Sequence, residues 1–122
     1  MDVTRRTFGN VVVVAPVGRA DLAGSTALEG ALAPLWAQQE VKALVLDFAG
    51  VPYISSVGLR VLMIAAKQMR ARQARIAVVA LQPVVAEIFA ISRFDKVLEV
   101  FPAVRDALGA IAPNALAAFD AG

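Results

Sequence analysis

The chain predicts a single α/β domain: a mixed β-sheet, with an N-terminal hairpin followed by parallel strands, flanked by about four helices in the order ββαβαβαβα. Three observations predict it. The runs at 11–17, 41–48 and 75–80 are nearly continuous in apolar, largely β-branched residues, as strands buried on both faces are. Segments of helical periodicity separate them, which implies parallel pairing through right-handed crossovers. With 122 residues, 59% hydrophobic and 18% charged, the chain has one domain's length and too much apolar content for disorder.

In chain order, residues 3–8 alternate weakly, and Gly9-Asn10 reads as a tight turn into 11–17, closing a hairpin. Asp21 is placed to cap a helix over 22–38, with Leu28, Leu32 and Leu35 on one stripe. Pro34 predicts a kink or an early end there. The strand at 41–48 ends in Asp47-Phe48, and a loop holding Gly50 and Pro52 follows. Ser55 or Ser56 opens a helix running to about Arg72. A strand over 75–80, a short helix over 84–91 with Pro83 in its first turn, and a last strand over 96–100 come next. Pro102 starts a terminal helix with Val104, Leu108 and Ile111 as its apolar face. The domain is expected to span 1–112, with 113–122 a frayed tail.

Composition excludes much chemistry. There is no cysteine and no histidine, so thiolate and imidazole metal sites and histidine-based catalysis are closed. The formal charge of +2 is no argument for nucleic acid. No phosphate-binding glycine loop is present, and Asp21 and Asp47 alone make no metal site. No cofactor and no metal are expected. No uncharged run approaches the roughly 18 residues of a spanning helix. The N-terminus lacks the plan of a signal peptide. A soluble cytoplasmic protein without membrane insertion is therefore expected.

Two features remain. The first is Ser55-Ser56-Val57-Gly58-Leu59 at a loop–helix junction, where a hydroxyl meets free backbone amides at the positive end of a helix. One serine there can be a simple N-cap, and a cap needs only one. A hydrolase nucleophile is excluded, because a G-x-S-x-G elbow would need glycine at Ile54 and Lys67 lies about three turns away. The second is the outer stripe of the same helix. Gly58, Val61, Leu62, Ala65 and Met69 share the core face, which turns Arg60, Met63, Ile64 and Lys67 outward as a basic stripe with an apolar pair beside the serines.

Four segments in order resemble the STAS domain family, in particular its free-standing anti-sigma factor antagonists. They are Gly18-Arg19-Ala20-Asp21, Leu44-Val45-Leu46-Asp47-Phe48, Val51-Pro52-Tyr53-Ile54-Ser55-Ser56-Val57-Gly58-Leu59-Arg60, and Ile91-Ser92-Arg93-Phe94-Asp95-Lys96-Val97-Leu98. The resemblance implies a phosphorylatable switch and not an enzyme. Ser56 aligns with the family's phospho-acceptor, and Ser55, standing where an acid often precedes it, is the alternative. The implied partner is an anti-sigma factor that is also a serine kinase with a histidine-kinase-like ATPase fold. It is bound when the serine is free and released on phosphorylation, and a serine phosphatase resets the switch. Asp21, Ser55, Arg60, Met63, Ile64 and Lys67 are the expected partner-binding residues. The alternative is a STAS subunit docked on an ABC-type or other membrane transporter without phospho-regulation. Arg93 departs from the family's usual glycine.

Overall fold

Residues 1–122 are described by a computed structural model. β1 (Asp2–Phe8) and β2 (Val11–Val17) form the antiparallel hairpin, closed by Gly9 at φ 62°, a left-handed conformation that costs glycine little. β3 (Ala43–Asp47), β4 (Arg75–Val79) and β5 (Glu99–Phe101) add in parallel, giving one five-stranded sheet in the order β1-β2-β3-β4-β5.

The continuous apolar runs divide between the two faces because strand side chains alternate. Val12, Val14, Leu44, Leu46, Ile76 and Val78 face one layer, formed by α1 (Leu22–Trp36), α2 (Ser56–Ala71) and α3 (Pro83–Ile91). Val11, Val13, Ala43, Val45, Ala77 and Val79 face the other, covered by α4 (Val104–Ile111) and by α5 (Leu116–Ala121). The mixed sheet and the ββαβαβαβα order are as the sequence predicts, with one more short helix. No helix is long and apolar enough to cross a membrane.

Three local expectations change. Helix α1 runs through Pro34 but stops at Trp36, not at Gln38; the Gly30 carbonyl that Pro34 leaves without an amide partner belongs to an exposed residue, where water can satisfy it. The strand expected over 96–100 begins at Glu99, because Phe94–Lys96 form a 3-10 turn that buries Phe94 against Phe89, with ring centroids 5.4 Å apart. Arg93, in place of the family's glycine, still takes the left-handed conformation, at φ 58°, ψ 29°. The C-terminal residues are helical and docked rather than frayed. Phe119 meets Phe8 edge-on at 5.5 Å, Arg6 lies over both rings, and Arg105 pairs with Asp120. The hydrogen bond and charge of Asp120 hold the Arg105 pKa above its ordinary value.

Candidate functional site

Crossover connections leave β2 and β3 at the same edge of the sheet, so the loops at 18–21 and 48–55 lie side by side at the C-terminal ends of parallel strands. That is where open α/β sheets place their sites. Isolated bridges join Val17 to Gly50 and Ala20 to Ile54. The Gly18 amide donates to the Gly50 carbonyl at 2.9 Å, and the Ala20 amide donates to Tyr53 at 2.9 Å. The Arg19 guanidinium stacks on the Tyr53 ring at 4.4 Å, tying the two loops again from the solvent side.

Both helices that start here are capped by the same device. Asp21 Oδ1 accepts the Gly24 amide at 2.9 Å, and Ser55 Oγ accepts the Gly58 amide at 3.2 Å. Each cap is followed three residues later by glycine, and each glycine is buried. A methyl group at Gly24 would run into the Arg19 carbonyl. One at Gly58 would lie 2.6 Å from Ile54 Cγ1 and 3.1 Å from the Ala20 carbonyl. The repeated cap-x-x-Gly spacing was the available sign that the two helix starts pack this closely. Gly24 as the counterpart of Gly58, and Ser25, whose buried hydroxyl donates to the Ala20 carbonyl at 3.2 Å, stand outside the sequence-predicted site residues.

The two serines part ways here. Ser55 is the cap: its hydroxyl also donates to Ala20 O at 2.8 Å, and the side chain is part-buried. Ser56 is the first residue of α2 and exposed, and the hydrogen bonds of the junction belong to its neighbour. Exposed Leu22 and Val57 stand at the starts of α1 and α2. Asp47 is half-buried at the end of β3, where its Oδ1 accepts the Ala49 amide at 3.1 Å. No cluster of three side chains able to hold a metal ion occurs.

Along α2, the expected core face is buried, with Ala66 added to it. Arg60 and Lys67 are exposed as expected. Met63 and Ile64 are half-buried instead of fully outward, and Met63 packs against the main core. The helix packs against both α1 and β4, so its solvent arc is narrower than an ideal wheel implies. The structure thus brings Asp21, Ser55 and Ser56 together at one end of the sheet and runs Arg60, Met63, Ile64 and Lys67 away from them down α2.

The chain is similar to known proteins over most of its length. Residues 2–107 match the family model described as the STAS domain. The chain is 35% identical over 118 residues to BtrV of Bordetella bronchiseptica, a protein assigned as an anti-sigma factor antagonist, covering 95% of this chain and 98% of that one. An anti-sigma factor antagonist from Mycobacterium paratuberculosis superposes with a TM-score of 0.82 at 28% identity, over 90% of this chain and 92% of that one. The Bacillus cell fate determinant SpoIIAA in its phosphorylated form shares the fold, with a TM-score of 0.70 at 14% identity over 90% and 99% of the two chains.

Proposed function

The chain belongs to the STAS domain family, and we propose that within it the protein is an anti-sigma factor antagonist switched by phosphorylation of Ser56. Unphosphorylated, it binds an anti-sigma factor that is also a serine kinase of the histidine-kinase-like ATPase fold. Phosphorylated, it lets go, and a serine phosphatase restores it. It acts as a binding module and kinase substrate in the cytoplasm, not as an enzyme. Asp21, Ser55, Arg60, Met63, Ile64 and Lys67 contribute the partner surface.

The observation that carries this reading is the division of labour between the serines. Ser55 is committed to capping α2 and to the Ala20 carbonyl, whereas the neighbouring Ser56 hydroxyl is exposed and free for chemistry. A phosphate on the first residue of a helix meets free amides and the positive end of the helix dipole, so the fold tolerates it. The partner meets about −1.5 to −2 units of new charge in the middle of its contact. The similarity to proteins assigned as anti-sigma factor antagonists supports the same conclusion.

The test is incubation with the cognate kinase and ATP, followed by mass spectrometric mapping. Phosphate is expected on Ser56. Ser56→Ala should resist phosphorylation and bind the kinase constitutively in ADP, Ser56→Asp should bind poorly, and Ser55→Ala should still be modified. Phosphate on Ser55 alone moves the assignment by one residue. Phosphate on neither serine, with a kinase active on another antagonist, overturns the switch.

A further inference from the structure

The charge of this chain is unevenly placed. Between Phe48 and Ala86 there are five cationic residues and no carboxylate, while the rest of the chain has seven cationic residues against ten acidic ones. The small net positive charge therefore conceals a cationic segment on an otherwise acidic protein. Two of the five cations are used internally: Arg72 Nε donates to the Trp36 carbonyl at 2.9 Å, and Arg75 pairs with Glu99 at 2.8 Å. The other three, Arg60, Lys67 and Arg70, are exposed on α2. The ion pairs of the chain are Arg75–Glu99 and Arg105–Asp120, so none of these three meets a carboxylate. Arg70 touches only the Val97 carbonyl, at 3.0 Å. Spacings of seven and three residues put the three cations on one side of the helix, along about 15 Å. Ser56, one turn before Arg60, stands at the N-terminal end of the same strip.

We infer that this strip docks an acidic protein surface: a carboxylate-bearing face of the anti-sigma factor, guided to α2 by Arg60, Lys67 and Arg70. The inference rests on the antagonist reading above and adds the chemistry of the partner. Unpaired like charges on one helix face are complementary to an anionic surface and raise encounter rates with it. A phosphate at the end of the strip adds negative charge that repels an anionic partner, whereas a cationic partner would be held more tightly. The new phosphate also lies one helical turn from Arg60, the spacing at which opposite charges pair along a helix, and so withdraws one cation from the partner.

The test is the association rate of the purified cognate anti-sigma factor, with ADP bound, at 30 and 300 mM NaCl. The unmodified protein should associate at least about tenfold more slowly at high salt. Changing Arg60→Gln, Lys67→Gln and Arg70→Gln together should slow low-salt association by about the same factor and flatten the salt dependence. Arg5→Gln with Lys42→Gln, on β1 and before β3, should leave both unchanged. Binding at a rate insensitive to salt, or slowed equally by the two sets of changes, overturns the inference while leaving the antagonist function standing. No complex at either salt overturns the antagonist reading and this inference with it. A third measurement uses vesicles containing phosphatidylserine. If they bind the protein through these three residues while the anti-sigma factor binds the triple variant normally, the strip is a membrane contact and the inference falls.

Discussion

The Ser55 hydroxyl donates to the carbonyl of Ala20 at 2.8 Å, a bond that spans 35 residues of sequence and joins the loop before α1 to the N-cap of α2. The Ala20 carbonyl also accepts the Ser55 amide at 2.9 Å and the Ser25 hydroxyl at 3.2 Å. One backbone oxygen thereby holds the starts of two helices in fixed relation, and the exposed Ser56 inherits that placement.

Ser55→Ala removes both a cap and this cross-loop bond, and it should lower unfolding stability by about 1 to 2 kcal/mol in urea titration. Ser56→Ala should change it by less than about 0.5 kcal/mol, because the hydroxyl is exposed. Equal effects from the two variants would mean that the cap is shared.

Gly58→Ala places a methyl group against Ile54, the Ala20 carbonyl and Ser25 Oγ, two of which are backbone or hydrogen-bonded and cannot yield freely. A loss of about 2 to 3 kcal/mol is expected despite alanine's better helix propensity. A stabilised variant would show that the two helix starts can separate.

Ile64→Asp buries part of a carboxylate where a half-buried side chain now sits. It should cost about 1 to 2 kcal/mol of stability in the same titration, more than an exposed site would. Lost binding in this variant therefore has to be read beside its folding, whereas charge removal at Arg60 or Lys67 is the cleaner probe of the surface.

Arg93→Gly relieves a side chain held at φ 58° after α3. Glycine pays less for that conformation and loses more entropy on folding, so a net gain of about 0.5 to 1 kcal/mol is expected, seen as a raised Tm in calorimetry. A lowered Tm would show that the Arg93 side chain contributes contacts worth more than the strain.

The order of elements, the N-terminal hairpin and the Asp21 cap were determined by the sequence itself, because each depends on neighbours within one or two turns. Examples are the β-branched runs, Gly9 in the hairpin turn, Asp21 and the Ser55-Ser56 pair ahead of apolar stripes. The choice between the two serines was not legible: either can open a helix, and only the distant Ala20 carbonyl and the Gly58 amide commit Ser55 and leave Ser56 free. The half-burial of Met63 and Ile64 likewise depends on how deeply α2 sinks between its neighbours, which helical spacing does not record. The C-terminal residues follow the same rule. Nothing local to Phe119 predicts order, and it is Phe8 and Arg6, more than a hundred residues earlier, that hold it. Local free energies select turns, strands and caps. Long-range packing decides which hydroxyl is spent on structure and which stays available to a partner.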